Sequence, residues 1–426
     1  MSEDAIPDEM LRHLTGSGFA FEKPERLGVA VSGGGDSMAC LDLMIWHGKA
    51  LGFAVEAVTV DHGLRPEAAD EIALVRDFCA ARGVAHSVVS WTWDGVGNLQ
   101  AKARQARYEL IGAWAADRGV DCVALGHTED DVAETFLMRL ARRSGVDGLA
   151  QMEHRFERAG VRWTRPLLNF GRSVWREYLT RHGITWAEDP SNADENFERV
   201  RARKVLETLK PLGIDTDVLS EVSHNLWIAK SALNHAVYDA VSTYGIEDRG
   251  DLILPGDAPE LCKLLTHEIE FSMRLEAIRC VAGAEYTPRS DAMIELDIGL
   301  QESGSNTLGG CMFHTVKGRK IYERRYRITR EYNAVKDTVS STEALWDGRW
   351  ALEGPHDADL QVRALGEAVK DCPEWRQTGL PRQSLLATPA VWRGDELVAA
   401  PVAGLKNGWE ASATGRGSFT QFLLSR

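Results

Sequence analysis

The run Ser32-Gly33-Gly34-Gly35-Asp36-Ser37 follows a short apolar stretch, Leu27 to Val31, and precedes a segment with helical apolar spacing. Three glycines let a backbone turn sharply and aim several N–H groups at one point. At the start of a helix that point favours phosphate oxygens, because the helix dipole leaves partial positive charge there. Ser32 and Ser37 add hydroxyl donors. No lysine follows the glycines, so this is not the Walker arrangement. A carboxylate and a phosphate repel, so Asp36 needs a cation between itself and a nucleotide's phosphates. An ordinary turn with an N-capping Asp or Ser is the plainer alternative.

Four further segments carry ionisable groups. Asp61-His62-Gly63-Leu64-Arg65 directly follows a second apolar stretch. Lys102, Arg104 and Arg107 crowd one helical pattern, with Arg104 and Arg107 on one face, where they can stabilise charge on a leaving group. Gly126 to Thr135 reads GHTEDDVAET. There His127 and Asp131 are an i, i+4 pair, and Asp131 and Glu134 share a helical face. Asp36 and Asp130 are the candidate magnesium contacts, since oxygen ligands suit a magnesium ion that arrives with nucleotide phosphates. Glu188-Asp189-Pro190-Ser191-Asn192 precedes Arg199, Arg201 and Arg203, whose every-second spacing suits contact with several phosphates or bases.

These segments need a frame that brings them together. Apolar runs at Leu27–Val31, Ala54–Val60, His86–Trp91 and Asp121–Leu125 read as strands. Helical patterns near Asp36–Lys49, Glu67–Arg82, Leu99–Arg118 and Glu129–Arg142 alternate with them. That rhythm predicts an α/β fold, a parallel sheet with helices on both faces. Ligands bind such sheets beyond the carboxyl ends of the strands, where the segments above fall. Beyond Pro190 the pattern turns helical from about Arg199 to Val241 and from Pro259 to Val281, then strand-and-turn from Asn306 to Thr329. Asn333 to Thr342 reads as a linker, and the last stretch as a small β-rich domain. The expected division is 1–210 for the catalytic domain, 211–332 for a mainly helical domain and 333–426 for the β-rich one.

Composition bounds the rest. With 426 residues, 44% hydrophobic and 26% charged, the chain is globular and has two or three domains. No apolar run reaches the roughly 18 residues of a membrane helix, and MSEDAIPDEM does not read as a signal peptide, so a cytoplasmic protein is expected. The seven cysteines form no C-x-x-C pair and read as small buried hydrophobes. Net charge is -14, unevenly spread: residues 139–204 hold 14 Arg/Lys against 9 Asp/Glu, and residues 317–331 hold 7 against 2. Two basic stretches in an acidic chain permit a polyanion to dock locally.

The five segments in order resemble the tRNA(Ile)-lysidine synthetase family of PP-loop (N-type) ATP pyrophosphatases. SGGGDS matches the superfamily's S-G-G-x-D-S; DHGLR, ARQARY, GHTEDDVAETFLMRLARRSGVDGL, RPLL at Arg165 to Leu168, and EDPSN match the family in particular. The motifs cover about residues 25–210, with thinner cues such as TLGGC at Thr307 to Cys311 beyond. The resemblance implies ATP and Mg2+, free L-lysine, and an isoleucine tRNA with a CAU anticodon. Its wobble cytidine would be adenylated, with release of pyrophosphate, and then joined to lysine with release of AMP. It implies Ser32, Gly33, Gly34, Gly35, Asp36, Ser37, Asp61, His62 and Arg104 around ATP. Asp36, Arg107, His127, Asp131 and Glu134 would serve catalysis, and Arg199, Arg201 and Arg203 the RNA. A monomer or homodimer is expected, with no protein partner evident. One departure stands out: where the family commonly has asparagine between the first two arginines, this chain has Val200. A tRNA thiolase would need cysteine pairs for sulfur; a small-molecule amide-forming relative would not need the C-terminal domains.

Overall fold

The structure is a computed structural model and describes residues 7–21, 23–63, 68–93, 95–97, 99–188, 197–256, 267–284, 288–317 and 324–424. Leu64, Arg65, Asn98, Asp189 to Asn192, Pro259 to Thr266 and Gly318 of the segments above lie outside the described residues. Packing divides the chain into two units, 1–230 and 231–426.

The first unit opens with α1 (Asp8–Phe21), β1 (Arg26–Ala30), α2 (Gly35–Leu51), β2 (Ala54–Asp61), α3 (Ala68–Arg82), β3 (Ala85–Ser90), α4 (Leu99–Arg118) and β4 (Cys122–Leu125). It continues with α5 (Glu129–Leu140), α6 (Val146–Leu149), β5 (Arg155–Arg158), β6 (Val161–Thr164), α7 (Arg172–Arg181) and α8 (Glu198–Leu209), and the chain passes into the second unit within α9 (Thr216–Tyr244). The six strands form one sheet in the order β3-β2-β1-β4-β6-β5. All pairings are parallel except the β5–β6 hairpin. The α/β expectation holds for this unit, and the four expected strands lie within a residue or two of their predicted bounds.

Side-chain alternation along β1 feeds two cores. Leu27 and Val29 pack with Met38, Leu41, Leu43, Trp175 and Tyr178 on one face. Ala30 packs with Val58, Tyr108, Ile111, Trp114, Val123 and Trp163 on the other. Each large apolar side chain buried this way contributes about 1.5–3 kcal/mol, so the first βαβ unit is held firmly from both sides. The chain turns to one side of β1 for β2 and to the other for β4, and a crevice opens beyond the strand ends where the order reverses.

In the second unit β7 (Ile246–Asp248), β8 (Asp251–Pro255), α10 (His267–Ala282), α11 (Ser290–Ser303), β9 (Ser305–Leu308), β10 (Cys311–Lys317) and β11 (Arg324–Arg330) precede a short α12 (Tyr332–Val335). Their sheet, β7-β8-β11-β10-β9, shares a core with α10, α11 and Phe419. A second core gathers around Trp346, Trp350, Val362, Val391 and Trp409, among short strands and 3-10 turns. These two cores are what the expected division near residue 332 would separate.

The stretch from Asn333 to Thr342 is not a linker. Val335 is fully buried in the second core, and Thr342, also buried, hydrogen-bonds His356 Nδ1 at 2.9 Å. Low average hydrophobicity concealed one apolar anchor and one buried hydroxyl. The basic stretch in β11 is likewise turned partly inward. Arg327 donates to Asp251 and Asp248, each at 2.7 Å, and Arg330 Nε donates to Asp347 at 2.9 Å. Cys40, Cys79, Cys280, Cys311 and Cys372 are buried free thiols, as their scatter suggested.

Candidate active site

The glycine turn owes its shape to local bonds. Gly33 has φ +89°, a left-handed value that side chains rarely adopt, and a Cβ there would lie 3.3 Å from Glu71. Ser37 Oγ donates to the Gly34 carbonyl at 2.8 Å and accepts the Ser32 amide at 3.2 Å. Ala187 N donates to the Gly33 carbonyl at 2.9 Å, so the segment before Glu188 braces the turn. Gly126, just after β4, faces the start of α2: a Cβ on it would lie 2.7 Å from the Asp36 carbonyl oxygen. Only glycine lets β4 and the phosphate turn approach this closely.

Around the turn is a cavity of about 520 Å³, within the first unit. Ser32, Gly34, Gly35, Asp36, Ser37, His62, Arg107, His127, Asp131, Arg199 and Arg203 line it, all of them expected from the sequence. Arg172, Arg176, Glu71 and Glu188 line it too. The remaining expected residues stand back from the wall. Asp61 accepts the Gly63 amide at 2.8 Å. Arg104 is exposed, 5.5 Å from the Tyr108 ring centroid. Asp130 accepts the Arg172 amide at 2.6 Å, and Glu134 is 1% exposed behind Asp131. Arg201 is exposed, since on a helix it projects away from the face shared by Arg199 and Arg203.

Arg172 is the residue sequence reasoning missed. Its Nε donates to Asp36 Oδ2 at 2.9 Å, and its Nη1 lies 3.6 Å from Glu134. One guanidinium thus ties the phosphate turn, α5 and the first turn of α7. No local pattern marks it; it stands at an unremarkable helix start after Gly171. Arg165 was seen only as part of a motif, yet its Nε donates to His127 Nδ1 at 3.0 Å.

Arg199 and Arg203 of α8 face inward. Arg199 Nη1 donates to Asp131 Oδ1 at 2.6 Å, and Arg203 Nε donates to Glu134 Oε1 at 2.5 Å. Asp131 Oδ2 also accepts the Thr128 amide at 3.0 Å, at the start of α5. Val200, at the departure from the family pattern, is buried.

The charges follow from this packing. Burial raises the Asp36 carboxyl, Arg172 opposes that, and Asp131 and Asp130 add to it. Burial would raise Asp131 too, but its interactions with His127, then Arg199, the Thr128 amide and Arg172 hold it below its ordinary value. Burial likewise pushes Glu134 up, against Arg203. Burial and the cations Arg165, Arg107 and Arg199 keep His127 neutral, despite the pull of Asp131. Burial also lowers His62, with Arg107 adding to it.

A magnesium ion fits this donor set. Asp36 Oδ1 is buried and has no hydrogen-bond partner among the described residues, while its other oxygen is held by Arg172. No group of three His, Cys, Asp or Glu side chains forms a metal cage among the described residues. One or two carboxylates plus phosphate oxygens is the usual setting for magnesium that travels with a nucleotide.

A PP-loop domain model matches residues 7–209. The tRNA(Ile)-lysidine synthase of Ruegeria pomeroyi is 44% identical over 420 residues, covering 98% of each chain. The chain belongs to the tRNA(Ile)-lysidine synthase family. The enzyme of that name from Wolbachia pipientis wMel is 34% identical over 340 residues, 76% of each chain. The one from Brucella suis biovar 1 is 31% identical over 409 residues, 90% of this chain and 87% of the relative. Most of the chain is thus matched within the family, the second unit included. Among the described residues no helix is long and apolar enough to cross a membrane.

Proposed function

We propose that the cavity adenylates the wobble cytidine of an isoleucine tRNA with a CAU anticodon and then joins free L-lysine to it. The chain is an ATP-using ligase of tRNA modification, and membership of the tRNA(Ile)-lysidine synthase family supports the substrate. The single observation carrying the reading is the ion-paired set around Arg172. It presents Asp36, with one carboxylate oxygen that has no hydrogen-bond partner among the described residues, beside a helix N-terminus and next to Asp131 and His127. We place this activity in the cytoplasm.

In the first step the cytosine carbonyl oxygen attacks the α-phosphorus of ATP, and the bond to the bridging oxygen breaks. Pyrophosphate leaves with the electron pair. Ser32, Ser37 and the amides at the start of α2 hold the phosphates, and Arg107 faces the departing charge. Asp36 would hold magnesium, which when bound supplies positive charge against the phosphate oxygens. In the second step the lysine ε-amine attacks the activated ring carbon, and AMP leaves with the former carbonyl oxygen. Asp131, ionised and on the wall, attracts the ε-ammonium and takes the proton that frees its lone pair for attack, and the nitrogen's second proton passes to solvent once the carbon–nitrogen bond has formed. Glu134, behind the wall, positions Arg172 and Arg203. Arg201 meets the RNA from the exposed face of α8. A single-stranded anticodon loop lets the base unstack at low cost.

The test is to incubate the protein with ATP, labelled lysine and isoleucine tRNA transcript. Label should enter tRNA bearing a wobble cytidine and not a transcript with uridine there. Label remaining free with both transcripts would reject the reading.

A further inference from the structure

Arg165 is 7% exposed, and its guanidinium is fixed on three sides. Nη1 donates to the Glu153 carbonyl, the plane lies 4.2 Å from the Phe156 ring centroid, and Nε donates to His127 Nδ1 at 3.0 Å. Arginine keeps its protons at any pH a protein survives, so Nε can only donate. The histidine nitrogen facing it must then offer a lone pair. A doubly protonated ring would set N–H against N–H, and the Nδ1–H tautomer would do the same. The one remaining form is neutral imidazole with its proton on Nε2.

We propose that Arg165 is a positioning residue that locks His127 as the Nε2–H tautomer, giving the cavity a fixed neutral donor for an anionic phosphate oxygen. This rests on the reading that the cavity takes ATP. Since Nδ1 is turned to Arg165 and His127 lines the cavity, Nε2 is the nitrogen left for a ligand. A neutral donor suits this place. It stabilises developing negative charge and, unlike an imidazolium, does not form a tight ion pair with Asp131. The groups facing the ring are Asp131 from α5, Arg107 from α4, Arg199 from α8 and Arg165 itself. Of these only Asp131 favours a second proton, and its oxygens are engaged by Arg199 and the Thr128 amide. In this account His127 accepts no proton during the reaction, and that task falls to Asp131.

The test compares wild-type protein with Arg165→Met, which removes the donor, and Arg165→Lys, which keeps one. Long-range proton–nitrogen NMR of histidine-labelled protein, with the His127 signal assigned by His127→Gln, reads the tautomer at pH 7. Wild type and Arg165→Lys should show Nε2–H alone, and Arg165→Met a mixture of tautomers. In parallel, kcat for tRNA-dependent pyrophosphate release should fall about 10- to 100-fold in Arg165→Met, with the KM for ATP less affected, and largely recover in Arg165→Lys. An unchanged tautomer in Arg165→Met would overturn the proposal, whatever the activity. The NMR arm needs no substrate, so failure of the wild type to make lysidine would count against the ligase reading and not against the tautomer lock.

Discussion

Replacing Asp36 by asparagine should lower tRNA-dependent pyrophosphate release by roughly 100- to 1000-fold while leaving the protein folded. The side chains have nearly the same shape, and the asparagine carbonyl can still accept from Arg172 Nε, the bond seen at 2.9 Å. Arg172 also keeps Glu134 within 3.6 Å, so no buried charge is stranded. Burial already disfavours the Asp36 charge, and removing that charge does not endanger the native state. What is lost is the unpartnered carboxylate oxygen Oδ1 beside the phosphate turn. The loss should appear in kcat and in the magnesium concentration needed for half-maximal rate. Circular dichroism and the melting midpoint should stay near wild type. Release at a near-normal rate would remove Asp36 from the mechanism.

A second large effect should come from one methyl group. In Gly126→Ala the new Cβ would meet the Asp36 carbonyl oxygen at 2.7 Å and Ser37 Cα at 2.9 Å. Both are backbone atoms at the start of a helix whose next turns are fully buried, so neither yields as the tip of a flexible side chain would. Overpacking of this kind costs about 1–3 kcal/mol. The catalytic loss should be larger, because the strain is relieved by shifting the phosphate turn. A displacement near 1 Å at a reacting centre costs on the order of 100-fold in rate. Denaturant titration and pyrophosphate release on the same preparation separate the two effects. A variant with wild-type activity would show that the close contact between β4 and α2 does not set the turn's position.

The sequence carried the first four strands because each is a short apolar run with helical spacing between; β1, β2 and β4 feed two cores, while β3 at the sheet edge reaches one through Val89. It did not carry the β5–β6 hairpin. Arg155 to Arg158 and Val161 to Thr164 are four residues each, and five of their eight side chains are polar. Motif residues were legible wherever they fell at a strand's carboxyl end, as with Asp36, His62, His127 and Asp131. Arg172 was not, since it meets Asp36 across 136 residues and only the folded sheet brings them together. The arginine run of α8 shows what spacing alone leaves open. Every-second spacing suits contact with several phosphates or bases but does not say which side chains turn inward. On a helix it separates Arg201 from Arg199 and Arg203, and the latter two pair with acids of α5. Glu134 and Asp131 share a helical face, but a helical face has depth: Asp131 reaches the wall and Glu134 stays behind it.

The central claim is that the glycine turn activates RNA rather than merely hydrolysing a nucleotide. ATP labelled at the α-phosphate, supplied with isoleucine tRNA and no lysine, tests it directly. The account predicts that label becomes attached to tRNA with a wobble cytidine and is discharged as AMP when lysine is added. Label recovered only as ADP, or never on the RNA, would contradict it.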